Sequence, residues 1–288
     1  MIKAESIDLH IHTTASDGTD TPEELLARVR GARLSLFAVT DHDSVKSSAA
    51  IRAMLLPGDP LFITGAEFSC RDAEGKYHIL GYGFDPEAEP IVSLTEAAHA
   101  IRMTKITRRL DTLRTRFGVK FPPEEIRALL SMTNPGKPHI ANLMVKYGYA
   151  SDRDEALRSI LNRIRPRVKP ISPEQAIAAI LAGGGLPVLA HPFFGDGGQR
   201  IEGKNMERRL ARLVGFGLRG VEAFYSGFSP EQSKEMLGYA DRFGLAATAG
   251  SDYHGANKAI SLGSTGLRGE ELPPAVQRFL CAMGIENT

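Results

Sequence analysis

Polar and apolar positions alternate over Ser6 to Ile11, the period of a short strand. Apolar runs of strand length recur at Leu36 to Val39, Leu61 to Thr64, Tyr77 to Phe84, Leu186 to Ala190, Gly220 to Phe224 and Leu245 to Ala249. Between most of them the pattern changes to that of amphipathic helices. Thr21-Pro22-Glu23-Glu24 opens the first helix: Thr21 caps, Pro22 suits the first helical position, and Glu24 completes a capping box. Ser172-Pro173-Glu174-Gln175 opens another in the same way, and further helices are predicted over Ser47 to Leu55, Met206 to Phe216 and Pro230 to Phe243. Strand and helix therefore alternate about seven times, which favours a parallel sheet, open or closed into a barrel. One interruption stands out. From Ser93 to about Asn162 helices follow one another without strands, at Ala97 to Arg116, Pro123 to Leu130, His139 to Lys146 and Asp152 to Ile160, as in an insertion or cap.

Charge separates that insertion from the rest. Between Leu94 and Pro170 there are 16 Lys plus Arg against 7 Asp plus Glu, whereas the remainder carries 19 against 27. The insertion is suited to anions and the remainder is rich in carboxylates. The chain is 288 residues long with 42% hydrophobic and 24% charged residues, a globular composition that excludes disorder and fibre. Two cysteines, Cys70 and Cys281, argue against a disulfide scaffold and read as small buried hydrophobes. No run of 18 apolar residues offers a membrane span, and the amino terminus lacks the basic and apolar blocks of a signal peptide. A soluble, cytoplasmic protein is the expectation.

The residues at the ends of the predicted strands, with His78 near the start of one, carry the chemistry. They are His10, His12, Asp17, Asp41, His42, Glu67, His78, His191, Asp252 and His254, and they include six of the eight histidines. His10 and His12 are two apart and share one strand face, and Asp252-Tyr253-His254 repeats the spacing. Imidazoles and carboxylates without a thiolate suit Zn²⁺, Mn²⁺ or Fe²⁺. About nine ligands exceed the needs of one tetrahedral ion, so two or three ions sharing a bridging carboxylate are expected. Asp43 reads as the cap of the next helix, Asp41 as a weak ligand or the partner of a histidine, and Glu222, inside a strand, as the buried partner of a ligand.

His10-x-His12-Thr13 with Ser16-Asp17-Gly18, Thr40-Asp41-His42, Gly65-x-Glu67, Ala190-His191-Pro192 and Gly250-Ser251-Asp252-Tyr253-His254-Gly255 resemble, in order, the signature of the PHP (polymerase and histidinol phosphatase) superfamily. The position of the insertion resembles the branch of nucleoside 3′,5′-bisphosphate phosphatases, also described as 5′-to-3′ exoribonucleases on short RNA. The resemblance implies an α/β fold, a distorted (β/α)7 barrel formed by 1–93 and 171–288 with a mostly helical basic cap over 94–170. It implies a trinuclear centre, most often Mn²⁺ with Fe²⁺ or Zn²⁺ as alternatives. One ion takes His10, His12, Glu67 and Asp252, a second Asp17, His42 and His254, and a third Glu67, His78 and His191. In that branch an Arg-x-x-Arg pair and an Arg-Pro-His segment clamp phosphate. Here His99-Ala-Ile-Arg102 and Lys137-Pro138-His139 stand in their places, which makes His99, Arg102, Lys137 and His139 the substrate-binding candidates. Lysine loses the bidentate fork of arginine, so the preferred nucleotide is left open.

The activity expected is hydrolysis of a phosphomonoester, with a metal-bridging hydroxide attacking phosphorus in line. The expected partner is a small phosphorylated substrate, a nucleotide or short RNA, and neither long duplex nucleic acid nor a membrane. The alternatives are a phosphatase for another small phosphate, such as histidinol phosphate, and a non-catalytic metal-dependent nucleotide-binding module.

Overall fold

Strands form at Ile7–Asp8 (β1), Leu36–Val39 (β2), Leu61–Asp72 (β3), Gly75–Tyr82 (β4), Leu186–Leu189 (β5), Gly220–Tyr225 (β6) and Ala246–Gly250 (β7) of a computed structural model that describes residues 2–195 and 199–286. They make one sheet in sequence order. Backbone bonds from Leu9 N to Ala249 O (2.8 Å) and from His12 N to Tyr253 O (2.9 Å) join its two edges into a barrel. The purely parallel sheet suggested by the alternation is corrected at one place: β3 runs antiparallel to β4, and β4 antiparallel to β5. The reason is the two-residue connection after Asp72, which permits a hairpin and leaves no room for a crossover helix. All other neighbouring pairs are parallel.

Helices α1 (Pro22–Gly31), α2 (Lys46–Met54), α7 (Pro173–Ala182), α8 (Gly203–Gly215), α9 (Pro230–Phe243) and α10 (Pro274–Ala282) belong to the barrel part of the chain. The predicted capping boxes form at Thr21 with Glu24 and at Ser172 with Gln175, and a third forms at Ser229 with Gln232. The apolar faces of α7 to α10 close the main core, in which Leu36, Ala38, Ile79, Val188, Val221 and Ala247 are fully buried, while α1 and α2 pack Leu25, Leu26, Val29 and Ile51 against Phe37 and Val39 in a cluster of their own. Cys70 is buried as expected, but Cys281 is exposed on α10, where it takes no part in the core.

Four helices stand between β4 and α7: α3 (Glu89–Arg116), α4 (Pro123–Ser131), α5 (Lys137–Lys146) and α6 (Arg153–Glu155), the last running into a π-helical turn at Ala156–Leu161. α3 begins eight residues before the helix predicted at Ala97. Its first turns place Ile91, Leu94 and Ala98 in the barrel core, whereas Ile106 and Leu113 join a separate core with Val119, Leu129, Ile140, Met144 and Leu161. One continuous helix thus carries this second core on the barrel. Among the described residues no helix is long and apolar enough to cross a membrane.

Candidate active site

The predicted residues converge at one end of the barrel. His10 and His12 follow β1, which is only two residues long; the chain stays extended beyond it, and Ile11 bridges to Tyr253. The two imidazoles therefore lie together, with ring centroids 5.1 Å apart. His42 follows β2, His191 follows β5, and Asp252 and His254 follow β7. Glu67 and His78 lie inside β3 and β4 instead of at their ends. They reach the same rim because β3 outruns β2: its pairing with β2 ends at Thr64, and Glu67 then bonds backbone to backbone with Asp41 and Asp43. His78 enters from an antiparallel strand, so the early part of β4 faces the rim that the other strands face with their carboxyl ends.

Glu67 is the hub. Its Oε1 lies 2.7 Å from His78 Nδ1 and 3.3 Å from His191 Nε2, while Oε2 lies 2.9 Å from His42 Nδ1 and 3.4 Å from Nε2 of both His10 and His12. Asp252 Oδ1 lies 3.3 Å from His12 Nε2 and 3.6 Å from His10 Nε2. Asp17 Oδ1 approaches His254 Nε2 at 3.3 Å and the rings of His12 and His42 at 3.9 Å. Three overlapping donor groups result: His12 with Asp17, His42 and His254; His10 with His12 and Glu67; and His42 with Glu67 and His78. His191 and Asp252 border these groups; Oδ2 of Asp252 is turned to Tyr225 (2.9 Å) and Lys258.

The buried atoms of this cluster fit divalent ions. His10 Nε2, His12 Nε2, His42 Nδ1, His78 Nδ1 and Asp17 Oδ1 have no hydrogen-bond partner among the described residues. Orphaned polar atoms packed against one another are costly unless a cation joins them. Electrostatics agree. Burial works against the charges of Glu67, Asp17 and Asp252, yet surrounding imidazoles, and Lys258 beside Asp252, hold all three carboxyls well below the ordinary range. Burial pushes His12 well down and His78 down to about 3, so both imidazoles are neutral, as ligation requires. His10 and His42 go the other way: burial opposes their charge, but the carboxylates of Glu222 and Glu67 draw protons to them. A divalent ion satisfies the same carboxylates and takes the place of those protons.

Several contacts hold the cluster. Glu222 receives His10 Nδ1–H at 2.8 Å with one oxygen and the His191 amide at 2.7 Å with the other. His254 Nδ1 bonds the Asp252 carbonyl at 2.8 Å, which leaves Nε2 facing Asp17. A Cβ on Gly250 would collide with His10 and Glu222, so the close approach of β7 requires glycine. Asp43, His191 and Asp252 all adopt left-handed backbone angles (φ 52°, 29° and 57°), a conformation costing about 1–3 kcal/mol at each non-glycine residue.

Two expectations are corrected here. Asp41 does not pair with an imidazole: it accepts from the Thr13 amide (2.8 Å), the Thr13 hydroxyl (2.7 Å), Ser16 (2.5 Å) and Ser47, and reaches His12 through Ser16. Short hydroxyl side chains on the first loop and on α2 saturate it before a ring can approach. Asp43 makes no cap hydrogen bond to α2, whose N-cap position is Val45. Instead it accepts the Ser69 amide at 2.8 Å and pairs with Arg102.

Arg102 heads a cationic group that faces the barrel from α3 and α5. Arg102, Lys105 and Arg109 follow one another at helical spacing, and Lys137 on α5 and Lys76 on β4 complete the group. Burial and mutual repulsion depress the pKa of Arg109 to about 10 and of Lys137 to about 8. Nε of Arg102 and of Arg109 is buried without a hydrogen-bond partner among the described residues. His139 accepts the Gly136 amide on Nδ1 at 2.9 Å, which places its proton on Nε2 when neutral, and burial followed by Arg102 and Arg153 lowers its pKa although Asp17 opposes this. Asn134 donates to the His42 carbonyl, Arg153 to the Asn257 carbonyl (2.9 Å), and Asn257 to the Asp17 carbonyl (2.8 Å), so the cap is tied to two residues of the cluster.

The chain is 30% identical, over 93% of its length and 93% of the relative's, to a 3′,5′-nucleoside bisphosphate phosphatase of Chromobacterium violaceum. It is 31% identical to a phosphoribosyl 1,2-cyclic phosphate 1,2-diphosphodiesterase of Eggerthella lenta, over 86% of this chain and 94% of that one. A 5′-3′ exoribonuclease of Haemophilus influenzae is 26% identical over 89% and 92%. The solved structure of a protein from Bifidobacterium adolescentis, described as a metal-dependent phosphoesterase, superposes with a TM-score of 0.81 at 28% identity, covering 98% of both chains. This chain belongs to the PHP superfamily of metal-dependent phosphoesterases. No family model matches it.

In this PHP phosphoesterase the imidazoles and carboxylates gather into three overlapping donor groups. Of the four cap residues singled out in the sequence, Arg102 stands by His42 and His139 by Asp17, Lys137 stands with Lys76, Lys105 and Arg109, and His99 is exposed on α3, where among the described residues no hydrogen bond or ion pair joins it to the site. Lys105 and Arg109 were missed. The signal that finds them is their i+3 and i+7 spacing from Arg102, which puts three cations on one helix face. Ser69, Asn134 and Lys258 carry no such signal, because their relation to the site depends on which strands and loops the fold brings together.

Proposed function

We propose that this PHP phosphoesterase removes the 3′-phosphate of nucleoside 3′,5′-bisphosphates, leaving nucleoside 5′-monophosphates, and that short 5′-phosphorylated RNA is read by the same site. The observation that carries the reading is the pairing of two opposite environments: a carboxylate-rich imidazole cluster and, led by Arg102 beside it, a group of partly buried cations, Arg102, Lys105, Arg109 and Lys137. A monophosphate needs only the first. The names of the bisphosphate phosphatase and exoribonuclease relatives support the same substrate class.

His10, His12, Asp17, His42, Glu67, His78, His191, Asp252 and His254 hold two or three divalent ions in this reading, Mn²⁺ foremost, with Fe²⁺ and Zn²⁺ as alternatives. Such ions supply Lewis-acid charge to phosphoryl oxygens and lower the pKa of water. The chain's own residues do the rest. Glu222 fixes the ring of His10 through Nδ1, so that Nε2 points into the cluster. Arg102, Lys137 and the Nε2–H of His139 take the 5′-phosphate, which holds the 3′-ester in one place and turns binding energy into positioning. Water attacks phosphorus, the bond to the ribose 3′-oxygen breaks, and that oxygen gains a proton.

The test is phosphate release by Mn²⁺-loaded protein from adenosine 3′,5′-bisphosphate, AMP, histidinol phosphate and a 5′-phosphorylated RNA oligomer. The bisphosphate or the oligomer should be preferred over either monophosphate. A preference for histidinol phosphate or AMP refutes the second-phosphate role of the cap.

A further inference from the structure

Three aromatic rings stand at the edge of the site with no part in the chemistry above. Phe194 is 37% exposed, and no other aromatic of the barrel part reaches that exposure among the described residues. Its ring lies 5.9 Å from both Tyr225 and Phe228, which are 5.2 Å from each other, and 6.5 Å from the imidazole of His191. The group is anchored from below: Phe228 packs edge-on against the fully buried Phe193 at 5.1 Å, and the Tyr225 hydroxyl donates to Asp252 at 2.9 Å. The backbone under Phe194 is held as well, by its amide bond to the His191 carbonyl (3.0 Å) and a bridge to Arg200.

The position of these rings decides what they meet. Phe194 follows β5 and Tyr225 ends β6, whereas Asp43, which seats Arg102, follows β2. In a closed barrel of seven strands in sequence order, β2 and β5–β6 lie across the mouth from one another. A ligand with one phosphate on the cap cations and another at the imidazole cluster therefore extends its remaining part toward Phe194. Resting on the bisphosphate reading, we propose that Phe194, backed by Tyr225 and Phe228, is a stacking platform for the substrate's nucleobase. A ring face of Phe accepts any base, so the platform selects nucleotides over sugar phosphates and tolerates base identity.

The experiment compares kcat/KM for adenosine 3′,5′-bisphosphate with that for its abasic counterpart, a ribose 3,5-bisphosphate, in the Mn²⁺-loaded protein. The base-bearing substrate should be preferred by about ten-fold, and Phe194→Ala should erase most of that preference, while Phe194→Trp keeps or enlarges it. Phe194 is exposed, so neither substitution disturbs the core. Equal rates on both substrates in the parent protein, or an undiminished preference in Phe194→Ala, overturn the platform while leaving the phosphatase reading standing. Failure to hydrolyse either bisphosphate, with AMP or histidinol phosphate hydrolysed, overturns the phosphatase reading and the platform with it.

Discussion

Glu222 Oε1 lies 2.8 Å from Nδ1 of His10, and both side chains are fully buried. The carboxylate fixes the tautomer and the direction of a ring whose other nitrogen has no hydrogen-bond partner among the described residues. Partners of this kind change metal affinity by about 10- to 100-fold when altered. Glu222→Gln should therefore lower metal affinity by that range and leave the fold in place, measured by titration of chelator-treated protein with Mn²⁺. Unaltered affinity would mean that the ring is held by packing alone.

The pair of Arg102 and Asp43 is buried, with 17% and 4% of the side chains exposed. Arg102→Ala should raise KM for bisphosphates more than for monophosphates. It should also destabilise the protein by about 3 kcal/mol, because Asp43 is left as an uncompensated buried charge. Adding Asp43→Asn should restore much of the stability and none of the bisphosphate affinity. Denaturation midpoints and KM values for the four members of the cycle separate the two effects. Equal losses on both substrate types would remove Arg102 from second-phosphate binding.

Lys137 gives the cap a pH dependence. Burial, then repulsion from Lys76, Arg109 and Lys105, lowers its pKa to about 8, and Asn162 accepts from its ammonium at 2.6 Å. The side chain is cationic below pH 8 and neutral above it. KM for bisphosphates should accordingly rise as pH increases through about 8. Arginine keeps its proton at these pH values, so Lys137→Arg should flatten the rise. A KM profile identical in the two proteins would show that Lys137 does not face the substrate.

How far the sequence could be read follows physical lines. His10, His12, His42, His191, Asp252 and His254 were legible because each lies just past a strand, where apolar periodicity marks both the element and its end. Glu67 and His78 reach the rim for reasons the pattern does not carry: Glu67 because β3 outruns β2, and His78 because the hairpin reverses β4. Hairpin and crossover differ by a connection of a few residues, which apolar pattern does not report. Asp43 was misread because an Asp before a helix usually caps it, whereas here its partner, Arg102, is 59 residues away. Long-range pairs of this kind have no local signature. Lys105 and Arg109 had one, in their helical spacing from Arg102, but it was hidden in a segment where most helix faces carry arginine or lysine.

In the proposed function, metal held by the imidazole and carboxylate cluster is what makes phosphoester hydrolysis proceed. Phosphate release from adenosine 3′,5′-bisphosphate is followed while chelator-stripped protein is titrated with Mn²⁺, in the parent and in His12→Ala. The parent should be inactive when stripped and regain turnover over two to three equivalents of metal, about the number its three donor groups provide for. His12→Ala should keep its fold, bind less metal and stay inactive. Full turnover by the stripped protein, or by His12→Ala, would contradict the assignment.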